Sequence, residues 1–228
     1  MKLIMFAGAG SVGKTKLLEA VAEQANKLRL DVATHCSTTR KTYANAGLTN
    51  EKQAFDNETF NMKFQDQVMK DNIDGLWTAV IQAQNDNKSV LITDRSPYDY
   101  AGYFFNAFRD KLDLTTIAAK RYTCDESIAE LTYRCDEIHI IFLPYPTSWA
   151  VDTDSSDGWR ADKTGKNFLW SCAVESELAD AERRLEAHMS HPATTCKLTI
   201  SRLDSIFERG PVEARTWGVL AKAFPHLR

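Results

Sequence analysis

No stretch of the chain stays apolar for the roughly 18 residues a membrane-spanning helix requires. The apolar run at residues 2–7 is too short, and lacks the flanks, to be a secretory signal. No membrane partner is therefore expected, and a cytoplasmic location is. Cysteine is sparse and unpatterned. The five residues Cys36, Cys124, Cys135, Cys172 and Cys196 form no C-x-x-C pair, which leaves no zinc-ribbon or thioredoxin-like redox motif and predicts reduced, mostly buried thiols. Neither sign of charge dominates: a net charge of −3 argues against a broad nucleic-acid-binding surface but leaves room for a local basic groove. The N-K-x-D motif of guanine recognition is absent, as are internal repeats and low-complexity tracts. What remains is a chain of 228 residues, 43% of them hydrophobic, enough to bury the core of one domain spanning residues 1–228.

The most informative stretch is Gly8-Ala9-Gly10-Ser11-Val12-Gly13-Lys14-Thr15, which reads G-x-x-x-x-G-K-T directly after the apolar run Leu3-Ile4-Met5-Phe6-Ala7. Glycines let successive backbone N–H groups turn inward, and the N-terminus of a following helix adds partial positive charge, so the pattern makes an anion cradle. Four fixed positions arise by chance in roughly 1% of chains this long. Context decides between a cradle and an ordinary glycine-rich turn. A strand precedes, and Leu17, Leu18, Val21, Ala22, Ala25 and Leu28 supply a helical stripe afterwards. Gly8, Gly10, Ser11, Val12 and Gly13 are thus expected to wrap the phosphates of a nucleoside triphosphate, Lys14 to reach the β- and γ-phosphates, and the Thr15 hydroxyl to ligate Mg²⁺.

The rest of the chain alternates strands and helices. Residues 30–36 read as a second strand entering the polar turn Ser37-Thr38-Thr39-Arg40, where Arg40 either grips an acceptor or is a solvated loop cation. Residues 57–85 read as two helices or one bent helix. Ser89-Val90-Leu91-Ile92-Thr93-Asp94 is a buried strand ending in a carboxylate, the place of a Walker B acid. Asp94 suits either of two roles, orienting the magnesium ion or accepting the proton of an attacking hydroxyl. Arg95 follows, and then a helix opened by Pro97 that brings Tyr98, Asp99 and Tyr103 near the same edge, with packing or capping as the competing role for each. Residues 113–135 are helical and 137–143 form a strand in which His139 reads as a core histidine.

A polar, glycine-punctuated segment at about residues 150–167 precedes a long amphipathic helix over 168–188, and its cations Arg160, Lys163 and Lys166 suit a lid that closes on transferring phosphate. On that helix Phe168, Leu169, Cys172, Leu178, Ala181 and Leu185 are expected to face inward and Glu177 to sit on a solvated charged face. A short strand at 197–200 and a helix after Gly210-Pro211, with Val212, Ala214, Trp217, Leu220 and Ala221 inward, complete the chain.

In company these pieces resemble the P-loop kinases that act on nucleosides and nucleotides. The phosphate loop is joined by Asp94-Arg95-Ser96, similar to the D/E-R-S/Y motif of thymidylate and deoxynucleoside kinases. Asp157-Gly158-Trp159-Arg160 is similar to the D-G-x-R lid of the nicotinamide-riboside-kinase-like branch. The resemblance implies an α/β three-layer fold, a five-stranded parallel sheet in the order 2-3-1-4-5 flanked by helices, with a lid loop. It implies ATP and Mg²⁺ as cofactors, transfer of the γ-phosphate to a nucleoside, nucleotide or nucleobase acceptor, and catalytic roles for Lys14, Asp94, Arg95 and Arg160. Thr15 and Asp94 would hold the metal, and Arg40 and Tyr98 would meet the acceptor. Some bacteriophage enzymes of the thymidylate-kinase-like group phosphorylate 5-hydroxymethyluracil within DNA. DNA is therefore an alternative acceptor, with Arg29, Arg40, Lys41, Lys52 and Lys63 as its basic contacts and the host cytoplasm as the setting. A P-loop switch that hydrolyses nucleotide without an acceptor is the remaining alternative.

Overall fold

The computed structural model describes residues 1–9, 12–48, 58–145, 166–203 and 211–227. Five strands, β1 (Lys2–Ala7), β2 (Val32–His35), β3 (Val90–Thr93), β4 (Glu137–Phe142) and β5 (Lys197–Arg202), form one parallel sheet in the order β2-β3-β1-β4-β5. The helices are α1 (Lys14–Lys27), α2 (Thr39–Asn45), α3 (Glu58–Asn85), α4 (Pro97–Phe108), α5 (Leu114–Leu131), α6 (Lys166–Met189) and α7 (Val212–Ala223). The expected three-layer α/β architecture and strand order are both present, and residues 58–85 form a single helix. Among the described residues no helix is long and apolar enough to cross a membrane.

The central strand shows why the chain layers this way. Residues 3–7 are wholly buried, as a parallel strand covered on both faces must be. Leu3, Met5 and Ala7 enter one core with Leu76 and Val80 of α3, Ala101 of α4, Ile128 of α5 and Leu178 of α6. The alternate residues Ile4 and Phe6 enter the other, against Leu17, Leu18 and Val21 of α1 and Val219 and Leu220 of α7. Because every strand runs the same way, the carboxyl ends of β1, β2 and β3 open on one edge. Gly8, Ser37 and Asp94 leave the sheet there.

Two helix faces differ from the sequence expectation. In the first turns of α6, Phe168, Leu169 and Cys172 are exposed, whereas Ser171 and Val174 are buried. The close approach of α4 sets this rotation: a Cβ at Gly102 would lie 2.8 Å from the backbone nitrogen of Val174, so only glycine lets the two helices touch there. Farther along, Glu177 is buried at 4% exposure rather than solvated, because Arg121 of α5 donates to both of its carboxylate oxygens. In α7, Trp217 is half exposed and Arg215 is buried in its stead, donating through Nη2 to the carbonyl of Val12 at 2.8 Å. Cys124, Cys135 and Cys196 are buried free thiols, and Cys36 and Cys172 are exposed. His139 is buried and shares a hydrogen bond with Glu137 at 3.0 Å.

Candidate active site

The phosphate end of the site is assembled on the loop between β1 and α1. Gly8 has φ +144°, and a Cβ there would lie 2.5 Å from the carbonyl oxygen of Leu143, so the backbone passes where no side chain fits. Gly13, with φ 76°, turns the chain into α1, whose first residue is Lys14. Gly10 and Ser11 lie outside the described residues. The Lys14 side chain is buried and its ammonium donates to the carbonyl of Gly8 at 2.7 Å and to that of Ala9, with the Asp99 carboxylate 3.6 Å away. Burial, and then the neighbouring Arg95, push its pKa down to about 7, while Asp99 and Asp94 pull the other way.

Asp94, at the end of β3, joins this loop to the next. Its Oδ2 accepts from the Thr15 hydroxyl at 2.9 Å and its Oδ1 from the backbone N–H of Ser37, after β2, at 2.7 Å. The two residues that the sequence marks as metal ligands therefore stand side by side. A hydroxyl and a carboxylate adjoining a phosphate loop are the hard oxygen donors that magnesium takes alongside phosphate oxygens, so the donor set fits that ion. Among the described residues no cluster of three or more His, Cys, Asp or Glu side chains is arranged to hold a metal by protein groups alone.

Arg95 lies at the same edge. Its Nη1 is 3.3 Å from Asp99 Oδ1 and donates to the Gly8 carbonyl at 3.4 Å, and its guanidinium carbon lies 5.3 Å from the ring centre of Trp170 on α6. Trp170 is held in turn by its indole N–H, which donates to the backbone carbonyl of Asp99 at 3.0 Å, and by an edge-on contact with Tyr103.

Beside Arg95, between the β2–α2 turn, α3 and α4, a depression is lined by His35, Ser37, Asn72, Ile73, Leu76, Arg95, Ser96, Pro97 and Tyr100. A hydrogen-bond net shapes its wall. Asn72 Oδ1 accepts from the Ser37 hydroxyl at 2.9 Å and the Thr38 N–H at 2.8 Å, Asn72 Nδ2 donates to the Val68 carbonyl at 2.7 Å, and the Tyr100 hydroxyl lies 3.0 Å from that of Ser37. Burial moves the Tyr100 pKa up and that of His35 down, with Asp94 opposing the latter, so both stay neutral near pH 7.

The structure thus brings Gly8, Val12, Gly13, Lys14, Thr15, Asp94 and Arg95 to one edge. Tyr98 is not at that edge. It is fully buried, and its hydroxyl donates to Asp125 of α5 at 2.8 Å; Tyr100, two residues on along α4, faces the depression instead. A helix opening at Pro97 turns residues 98 and 100 to opposite sides, which fixes which tyrosine enters the core. Arg40 belongs to the first turn of α2, but its side chain lies outside the described residues, as do Arg160, Lys163 and most of the expected lid; Lys166 begins α6. Sequence patterns do not single out Trp170, Asn72 or Arg215, and they leave Asp99 open. For Asp99 a signal exists, since Ser96-x-x-Asp99 has the spacing of a capping box.

In sequence, no family model and no curated protein matches the chain. In structure it is similar to P-loop kinases. A deoxyadenosine kinase from M. mycoides with bound dATP superposes with a TM-score of 0.53 at 14% identity, over 97% of this chain and 98% of that one. The same enzyme with bound dCTP gives 0.51 at 13% identity with the same coverage. NadR protein in complex with NR gives 0.53 at 14% identity over 98% of this chain, which spans about half, 52%, of the NadR chain. The chain therefore shares the fold of these kinase structures.

Proposed function

We propose that this chain is an ATP-dependent phosphotransferase that moves the γ-phosphoryl group of Mg·ATP to a hydroxyl or phosphate of a nucleoside, nucleotide or nucleobase. The observation that carries the reading is the position of Asp94. One of its oxygens meets Thr15 at the phosphate loop and the other meets Ser37 at the rim of the depression, so a single carboxylate faces both the donor and the place where an acceptor fits. The likeness of the fold to structures of a deoxyadenosine kinase and of NadR supports the same reading.

In that reading the N–H groups of residues 8–15 wrap the phosphates and Lys14 leaves the Gly8 and Ala9 carbonyls to meet them. Bound magnesium would neutralise phosphate charge between Thr15 and Asp94. The acceptor hydroxyl lies in the depression, its oxygen forms the new bond to γ-phosphorus, the bond from γ-phosphorus to the bridging oxygen breaks, and the acceptor proton passes to Asp94 or to the transferred phosphate. Charge that develops on the equatorial oxygens is met by Arg95 and by Arg160 from the lid segment. Phosphoryl transfer asks the protein for position and positive charge rather than covalent chemistry, and these residues supply both.

The test is transfer of label from γ-labelled ATP to a panel of nucleosides, mononucleotides and DNA carrying modified bases. Label on a nucleoside-type acceptor is the expected result, and its identity separates free nucleotides from DNA. Phosphate release without acceptor, at a rate matching the best acceptor, overturns the reading in favour of a nucleotide switch.

A further inference from the structure

Asp99 does more than cap a helix. Its Oδ2 accepts from the backbone N–H of Ser96 at 2.9 Å and from the Ser96 hydroxyl at 2.7 Å, which ties the residue before α4 to the helix's first turn. Its Oδ1 points the other way, toward three groups of the phosphate end: the Gly8 N–H at 3.0 Å, Arg95 Nη1 at 3.3 Å and Lys14 Nζ at 3.6 Å. The side chain is 0% exposed.

A buried carboxylate in that place works against nucleotide binding, because it repels phosphate and competes for the cations that would receive it. Affinity therefore does not account for it. Geometry does. Oδ1 fixes the amide that opens the phosphate loop relative to α4, and it pins one nitrogen of Arg95 while the same guanidinium lies over the Trp170 ring. The indole donates to the carbonyl of Asp99 itself, so loop, arginine and tryptophan share one residue as their reference point. Building on the kinase reading above, we propose that Asp99 is a positioning residue for phosphoryl transfer, one that aims Arg95 and sets the phosphate loop against α4 without contributing to nucleotide affinity.

Asp99→Asn keeps the volume and an oxygen for hydrogen bonding but removes the charge. The measurements are kcat and KM with the best acceptor, the Kd of Mg·ATP by calorimetry, and Tm. Tyr98→Phe serves as a control for disturbance of the same helix turn. The expected result is a kcat lowered about 100-fold with the Kd of Mg·ATP unchanged or tighter, and no more than about threefold weaker than wild type, the pattern of an interaction realised in the transition state. A kcat within about threefold of wild type overturns the proposal, and so does a parallel loss of kcat and affinity, which a purely structural role would produce. Should Asp99→Asn fail to fold, Asp99→Ser, still able to accept from the Ser96 N–H, carries the same measurements; if neither folds, Asp99 is a folding requirement and the proposal falls. A wild type that transfers label only to water overturns the kinase reading, and the same split between hydrolysis rate and Kd then decides the role of Asp99. A wild type that binds no Mg·ATP overturns both.

Discussion

At the carboxyl edge of the sheet, the β1–α1 side is built from charges and the β2–α2 side from neutral hydroxyls and amides. Around Gly8 gather Lys14, Arg95 and Asp99, two cations and a carboxylate each within hydrogen-bonding reach of that residue, with Asp94 close by on the Thr15 hydroxyl. Around Ser37 gather Asn72, Thr39 and Tyr100, with His35 beside them, and burial keeps the tyrosine and the histidine uncharged. In the proposed reaction the contrast separates two tasks. A phosphate carries several negative charges and is recognised by field and N–H direction, which few residues on one loop provide. A neutral sugar or base is recognised by shape and by hydrogen bonds whose donors and acceptors are placed by several elements at once.

The same contrast explains which parts of the site are legible in the sequence. The phosphate loop is one contiguous stretch whose backbone conformation is written in its glycines, and strand-end Asp94 is positioned by the apolar run that precedes it. Sheet order follows from the resemblance that these two features carry. The depression is not legible, because its wall joins Ser37, Asn72 and Tyr100 from three separate elements and each is an ordinary polar residue in its own segment. The inward faces of α6 and α7 escape periodicity for a related reason. Glu177 and Arg215 are buried because each finds a partner far away in sequence, Arg121 and the Val12 carbonyl, and periodicity weighs hydrophobicity rather than partners.

The largest effect expected is at the charged side. Lys14→Ala removes the ammonium that holds the loop carbonyls and, in the proposed reaction, meets the phosphates, and should lower kcat/KM at least about 1,000-fold while circular dichroism shows a folded protein. Phosphorylation at the wild-type rate by this variant would remove the charged side from the chemistry and undo the comparison.

A smaller and different effect belongs to the neutral side. Asn72→Leu fills a similar volume but strips the acceptor from the Thr38 N–H and the Ser37 hydroxyl, which are then left without it in a partly buried wall. Such losses cost about 1–3 kcal/mol each at most, and less where water replaces the partner. The acceptor KM should rise about tenfold with the Kd of Mg·ATP unchanged. Steady-state kinetics against both substrates check it, and a rise in the KM for ATP instead would mean that the two sides are not separate.

The smallest effect should come from Tyr98→Phe, which sharpens where the neutral side ends. The Tyr98 hydroxyl donates to Asp125 Oδ1 at 2.8 Å, but Arg184 of α6 also holds that carboxylate, through Nη2 on Oδ1 at 3.1 Å and through Nε on Oδ2. Removing the hydroxyl leaves Asp125 with its guanidinium partner, so no charge is stranded, and the loss should stay at about 1 kcal/mol, the net worth of one hydrogen bond. That is a lowering of Tm by a few degrees for a domain of this size. Because the ring keeps its place in the core beneath α4, neither kcat nor the KM of either substrate should move. Tyr100→Phe, one helix face away, loses the contact to the Ser37 hydroxyl and should raise the acceptor KM. If Tyr98→Phe raised it instead, the acceptor would reach the tyrosine that the resemblance assigns to it, and the depression beside Arg95 would not be where the acceptor binds.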